Sequence, residues 1–415
     1  MIRSDAVSNP RFAAFALVAL LGGCAAGPDR ADAPPTPVAP LELATRELPA
    51  DEVLDIQLVR FEVDVPSSPE QAEVEQVFTD VRNAEARYVP YTLRQALQRS
   101  GHWGDVRVVP TPMAGAELQV TGRILDSHGE VLELEVRAED ATGRVWLDRE
   151  YSEDINRGRY RNATGVGEDP FQSLYNRIAN DLVAARTELA AADRREIAEV
   201  AQLRFAAQLA PQVYESRLVE GDDGLLEARP APDPLAGAID EARQRDARMV
   251  DILDQHYNDF YRKMEIPYGD WREASYREMQ NLKELRRQAN TRKALGALAI
   301  IGGLFGAIES DSSLGQLASQ ASIIGGVYAV SSGIDKSRQT SIHVESLREL
   351  GRSLERDLAP QVVDIKDKTV RLTGSAEVQY RQWREILAEM VAEQADAAER
   401  GEAEPTAGQA QDSSE

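Results

Sequence analysis

Few residues in this chain have the type and spacing for chemistry, and they do not converge on one reaction. His102, His128, His256 and His343 are the four histidines, widely scattered. His256 has Asp251, Asp254 and Asp259 near it in sequence, but a metal needs several ligands aimed at one point, and no H-x-x-x-H or H-E pattern occurs. No metal site and no cofactor is expected. There is no serine-nucleophile elbow, no glycine-rich phosphate loop and no kinase-like set. A hydrolase would need clustered Asp, Glu, His or Ser, and no such set is visible, so the chain reads as a non-enzyme. One aromatic cluster stands out: Tyr257, Phe260, Tyr261, Tyr268, Trp271 and Tyr276. It reads either as a ligand cage or glycan-stacking face, or as helix-packing core around Pro267. The remaining reactive residue is Cys24, the single cysteine of 415 residues, which excludes internal disulfides and thiol metal sites.

The elements around Cys24 give it a context. Arg3 and Arg11 flank the start, and Phe12 to Leu21 is an uncharged run of ten residues, too short to span a bilayer but suited to a secretory signal over residues 1–23. Leu21-Gly22-Gly23-Cys24 resembles the lipobox of bacterial outer-membrane lipoproteins. That resemblance implies cleavage before Cys24 and acylation of its thiol and amine, a stable membrane anchor. Ala25 and Ala26, with no Asp after the cysteine, imply release to the outer membrane with the chain facing the periplasm. The other reading is a buried N-terminal helix with a chance cysteine. Residues 24–50, rich in Pro and Ala, are expected to form an extended, mobile tether.

The net charge of −23 becomes one unit more negative without the signal and disfavours nucleic acid and anionic headgroups as partners. With 28% charged and 6% aromatic residues, long solvated helices are expected rather than one dense core, with two or three domains.

Residues 51–155 alternate as strands at 55–63, 106–109, 118–124, 132–136 and 145–147. A helix from Arg87 to Arg99 is entered through Pro90, and turns fall at Ser127–Glu130 and Asp140–Gly143. The order is strand, helix, strand, then a three-strand meander. The helix Tyr91–Arg99, the strand Val106–Val109 and the hairpin 118–136 are similar in order to periplasmic modules of the curli-secretion lipoprotein and of the first domain of the Tol-system translocation protein. Residues 169–292 are expected to be helical: one long amphipathic helix from Phe171 ended by Pro211, a loop at 222–234, a helix from Leu235 to Met264 broken by Pro267 and Gly269, and another from Trp271.

Residues 293–335 read as a Gly/Ala-rich helical hairpin. Neither 294–308 nor 312–334 contains a charge. Ala299, Gly303 and Ala307 recur every four residues beside Gly302 and Gly306; Ala321, Gly325, Ala329 and Gly333 do the same in the second half. Such stripes of small residues let two helix backbones approach closely, as in a glycine zipper. The hairpin either inserts into a bilayer or lines an oligomer axis, or it is buried in a soluble helical domain. The first half reaches only ~22 Å, short of a ~30 Å hydrocarbon core. Residues 336–394 read as a helix over 336–358, two short strands at 362–365 and 369–373, and a final helix with Trp383, Ile386, Leu387 and Met390 on one face. The run Thr369–Gly374 before that helix is similar to the strand-turn-helix of lipid-associated BON modules; no second copy is present, and no lipid binding is carried over. Residues 395–415 read as a disordered acidic tail.

The sequence therefore gives an α+β chain: a small sheet-plus-helix domain, then a mostly helical domain with the Gly-rich hairpin, and a short C-terminal strand pair plus helix. The expected role is a lipid-anchored, periplasm-facing envelope scaffold or assembly factor with a protein partner. The alternative is a membrane-inserting or homo-oligomeric, pore-like component.

Overall fold

Strict alternation makes the sheet. In the strand β5 (Val131–Asp140), Leu132, Leu134, Val136 and Ala138 are fully buried, while Glu133, Glu135, Arg137 and Glu139 face outward. The outward charges pair across strands, Arg123 with Glu135 at 2.6 Å and Arg137 with Asp148 at 2.6 Å. In a computed structural model describing residues 34–49, 52–63, 79–162, 169–292, 349, 362–365 and 368–399, β5 is flanked by β4 (Leu118–Ser127) and β6 (Val145–Asp154) in an antiparallel meander. β1 (Ile56–Val59) lies parallel to both β4 and β3 (Val106–Val109), and β2 (Glu62–Val63) pairs parallel with β4. The sheet order is β3-β1-β4-β5-β6. One face is solvated; the other packs on helices, so the chain is α+β as expected.

Helix α1 (Thr79–Ser100) links β1 to the parallel β3 and buries Val81, Ala84, Tyr88, Val89, Leu93 and Leu97 between the sheet and the helices that follow. Pro90 sits inside this helix rather than at its entry. Proline has no N–H to give the carbonyl four residues back, Ala86; the N–H of Phe61, from the β1–β2 connection, takes its place at 2.8 Å. The orphaned acceptor is thereby satisfied and the helix runs on.

After a short helix α2 (Arg157–Asn162), the expected single helix from Phe171 is two: α3 (Gln172–Thr187) and α4 (Ala191–Leu209). The break at 188–190 turns Leu189 into a second apolar cluster with Leu54, Ile197 and Val200. A one-turn helix α5 (Pro211–Tyr214) follows. Part of the expected loop is a small hairpin, β7 (Leu218–Glu220) and β8 (Leu226–Ala228), turning at Gly224 with φ +80. Helix α6 (Ala236–Arg292) then runs 57 residues, ~85 Å, straight through Pro267 and Gly269. Its buried stripe, Met249, Leu253, Tyr257, Phe260, Met264, Tyr268 and Trp271, continues at helical spacing across the proline. Burying Tyr268 and Trp271 at ~2 kcal/mol or more each outweighs the ~3 kcal/mol cost of an internal proline. α6 also closes the sheet edge at β3: Asp254 accepts the Val108 N–H at 3.1 Å, and Asp251 pairs with Arg107 at 2.8 Å.

The C-terminal part forms β9 (Val362–Ile365) antiparallel to β10 (Lys368–Arg371), a turn at Gly374 with φ +107, and helix α7 (Ala376–Glu399). Trp383, Leu387 and Met390 are buried against α4 and α6, with Ile386 partly buried. Ala395 to Glu399 continue this helix instead of beginning a disordered tail, because Ala395 extends the stripe of Leu387 and Val391 onto the core. Residues of 51–155, 169–292 and 376–391 share one apolar core.

Residues 34–49 are extended but do not hang free. Asn156 Nδ2 donates to Pro34 O at 2.7 Å, Ser173 accepts the Ala39 N–H at 3.0 Å, and Asn176 donates to Ala39 O at 2.7 Å. Asn180 accepts the Glu42 N–H at 2.8 Å and donates to Pro40 O at 2.9 Å, and Ala44 donates to Ser100 O at 2.7 Å. The polar row Ser173, Asn176 and Asn180 on α3 satisfies a proline-rich strand that has few N–H groups of its own. This corrects the free tether over that stretch.

The tip of the β4–β5 hairpin docks on α6 at Gly129, where a Cβ would stand 2.1 Å from Arg272 O and 2.2 Å from Tyr276 N. Those neighbours are backbone and cannot yield. Gly129→Ala should therefore destabilise by about 2–3 kcal/mol in urea unfolding. Gly269→Ala, inside α6 with nothing within 4 Å of its added Cβ, should instead stabilise by roughly 0.5–1 kcal/mol.

Candidate functional site

Cys24 and the small-residue rows Ala299, Gly302, Gly303, Gly306, Ala307, Ala321, Gly325, Ala329 and Gly333 lie outside the described residues, as does most of the expected helix at 336–358. The aromatic cluster is inside them, and it is filled. Arg272, 3% exposed, reaches from α6 into its centre and forks onto Asp169 at 3.0 and 2.8 Å. Its guanidinium lies 4.3 Å from the Tyr268 ring centroid and 5.7 and 5.8 Å from those of Tyr88 and Phe171. A cationic ligand would have to take the place this guanidinium holds. Burial opposes the charge of Arg272, but Asp169 outweighs it and holds the guanidinium pKa well above its ordinary value. Beside it, Glu85, fully buried on α1, accepts from Tyr268 OH at 2.7 Å and Ser127 OH at 2.6 Å and faces Arg82 at 3.3 Å. Tyr88 and Tyr91 stack on Tyr261 at 4.9 and 5.1 Å.

The acidic residues near His256 are committed to arginines: Asp254 to Arg94 at 2.8 Å, Asp251 to Arg107 at 2.8 Å and Asp259 to Arg262 at 2.6 Å. Among the described residues no three His, Cys, Asp or Glu stand together as a metal site. The sequence reading missed Arg272. Its signal was an arginine four residues after Tyr268 on the apolar stripe of the helix.

Pro34, Pro35 and α6 meet on residues 156–160. Pro34 is held by Asn156, and Pro35 lies against Gly158, where an added Cβ would be 2.9 Å from Pro35 Cα. On the same short stretch, the Arg157 N–H donates to Tyr276 OH at 3.1 Å, Tyr160 packs on Tyr276 at 5.7 Å, and Tyr160 OH donates to Gly129 O. Lys283 then pairs with Glu130 at the hairpin tip. Residues 156–160 thus meet both the first docked residues of the N-terminal segment and Tyr276 of α6.

A cleft of about 390 Å³ opens between α4, α6 and residues 214–233, with Leu203, Tyr214 and Ile239 as floor and Arg217, Asp233 and Arg243 at its rim. Asp233 is held by Tyr214 OH and by Arg217 at 3.0 Å. The lining offers no histidine, serine or cysteine; its ionisable groups are the carboxylates Glu199, Asp233 and Asp240, the phenol of Tyr214 and the arginines.

Two carboxyls are perturbed into the neutral range. Burial raises Glu153, on β6, to about 7, against the opposing pull of Arg177 and the Leu174 N–H at the start of α3; its Oε2 is buried without a partner. Burial raises Glu117 to about 7 as well, although it accepts the Asp55 N–H at 2.7 Å and feels Arg243. Each binds its proton more tightly folded than unfolded, so stability is greatest below about pH 4.5 for these groups and falls as pH rises toward 7. Glu153→Gln and Glu117→Gln should each flatten that fall. Each should also raise unfolding free energy at pH 8 by roughly 1–3 kcal/mol, with little change at pH 5, in urea melts at both values.

No protein-family profile and no curated protein matches the chain. Among solved structures, a dodecameric PelC variant from Paraburkholderia phytofirmans is similar at 16% identity, over 36% of this chain and 96% of that one, with a TM-score of 0.20. The likeness is too slight to show a shared fold.

Proposed function

We propose that this chain is a lipid-anchored, periplasm-facing scaffold or assembly factor of the bacterial outer membrane that binds a protein partner and performs no catalysis. Its support is the Leu21-Gly22-Gly23-Cys24 resemblance taken with the docked residues 34–49. Only nine residues lie between Cys24 and Pro34, a reach of at most ~35 Å over ten Cα steps. An acylated Cys24 would hold the body close to the bilayer with the face around 156–160 nearest it. Cys24→Ser should abolish acylation and move the protein out of the outer-membrane fraction. A mutant that fractionates like the parent would sink the anchor. For the partner, cross-linking in intact cells should give a reproducible heteromeric species, and recovery of monomer alone across conditions counts against a scaffold.

A second reading, a membrane-inserting component, rests on the uncharged, small-residue stretches 294–308 and 312–334. Among the described residues no helix is long and apolar enough to cross a membrane. The Cys24→Ser protein, lacking its acyl chains, should on this reading still partition into liposomes. Absence of partitioning leaves the scaffold reading alone.

A further inference from the structure

Where α3 turns into α4, two arginines are held without a carboxylate. Arg186, in the last turn of α3, is 6% exposed; its Nη2 donates to the Glu52 carbonyl, and its Nε–H is buried with no acceptor. Arg194, in the first turn of α4, donates Nη1 to Leu189 O at 2.7 Å, and its Nε–H is likewise buried without an acceptor. The corner is tied together by the Leu189 N–H, which donates to Arg186 O at 3.2 Å, and by Leu189 itself, which packs in one cluster with Leu54, two residues from Glu52. His102, on the loop after α1, buries both ring nitrogens without a partner, and its proton affinity is lowered by burial and by the charge of Arg186.

The carboxylates of this corner are engaged elsewhere. Glu52 is forked onto Arg46 at 2.8 and 3.1 Å; Asp193 accepts the Ala190 N–H at 2.8 Å and faces Arg144 at 4.0 Å. Among the described residues none forms an ion pair with Arg186 or Arg194. Burial and the repulsion of Arg194 push the Arg186 guanidinium below its ordinary pKa. Arg272, by contrast, has Asp169 in its fork, although its Nε–H too is buried without an acceptor. Buried donors without acceptors are rare, and a buried charge left unpaired is strongly destabilising. Two guanidinium Nε–H groups and the single N–H of a neutral His102 are left so here, in a protein of net charge −23 that has carboxylates to spare.

We infer that the α3–α4 corner is a binding site for one small oxyanion, carboxylate or phosphate, held between Arg186 and Arg194 with His102 beside it. Guanidinium forks match both oxyanions in bidentate geometry. The ligand is a soluble anion rather than a lipid headgroup. Ala39 meets α3 at Ser173, near the end where the N-terminal segment enters, and Arg186 lies thirteen residues further along that helix, ~20 Å away.

The test uses the full chain in detergent at pH 7, with chloride exchanged for inorganic phosphate or for acetate at constant ionic strength. The parent should gain about 2 °C in melting temperature once either anion reaches roughly ten times its Kd. Arg194→Gln, at a half-exposed position, should fold and lose that gain. Arg186→Gln should lose it too, and if that variant does not fold, Arg194→Gln alone decides. A response to acetate only, absent in Arg194→Gln, assigns the carboxylate form; one to phosphate only assigns the phosphate form. No response of the parent to either anion up to tens of millimolar overturns the site. An equal shift in parent and Arg194→Gln also overturns it, because that is the general stabilisation excluded salts give any folded chain.

Discussion

The Arg272–Asp169 pair is the constraint around which the described fold is arranged. It joins α6 to the residues that begin α3, and the aromatic rings around it come from α1, α3 and α6. A buried ion pair adds little net stability over a well-packed apolar substitute, but losing either partner leaves a bare charge in the core. Its consequence is therefore positional. Sliding α6 by one turn would bury an unpaired guanidinium and strip Tyr268 from Glu85. The 57-residue helix has one acceptable register on the sheet domain, and the close approach of Gly129 to the Arg272 carbonyl fits that register and no other.

Non-local satisfaction of polar groups recurs wherever local rules are broken. Pro90 removes a helical donor, and Phe61, 25 residues upstream in the strand connection, restores it at the Ala86 carbonyl. Proline-rich residues 34–49 have few donors, and three polar side chains one turn apart on α3 meet the donors and carbonyls that remain. In each case the compensating partner is far away in sequence. These are also the places where sequence periodicity misleads, since proline punctuation is a local signal and its compensation is not.

Much of the fold was legible for the complementary reason. The alternation of 132–138 and the helical stripe from Met249 to Trp271 are local patterns, and burying them is what the chain does. The alternation read over 132–136 survives and extends to Ala138, whereas the helices read on either side of Pro267 are one, its buried stripe running through the proline expected to stop it. The break between α3 and α4 left no helix-stopping residue to notice; it follows from Leu189 entering a second apolar cluster. The aromatic cluster showed its rings in the sequence but not its arginine, because a guanidinium on an apolar stripe becomes informative only when Asp169, over a hundred residues away, is seen to meet it. The anion-binding corner was invisible for the same reason: Glu52, His102, Arg186 and Arg194 belong to three separate stretches.

The two arginines that matter most stand in opposite electrostatic situations. Arg272 is neutralised within the chain and fixes structure; Arg186 is buried to a similar depth with no carboxylate of its own. A chain with a large excess of acidic residues could satisfy every buried cation internally, and this one does so at Arg82, Arg87 and Arg272. The net negative field slows the approach of any free anion, so a site that holds one must do so by short-range donors rather than by long-range attraction. The Nε–H groups of Arg186 and Arg194, on two neighbouring helices, are such donors: each guanidinium is bonded to a backbone carbonyl, and its Nε–H is left without an acceptor. The same chain thus uses one chemistry, the guanidinium, to lock its long helix where a carboxylate is supplied and to hold a place for one where it is not.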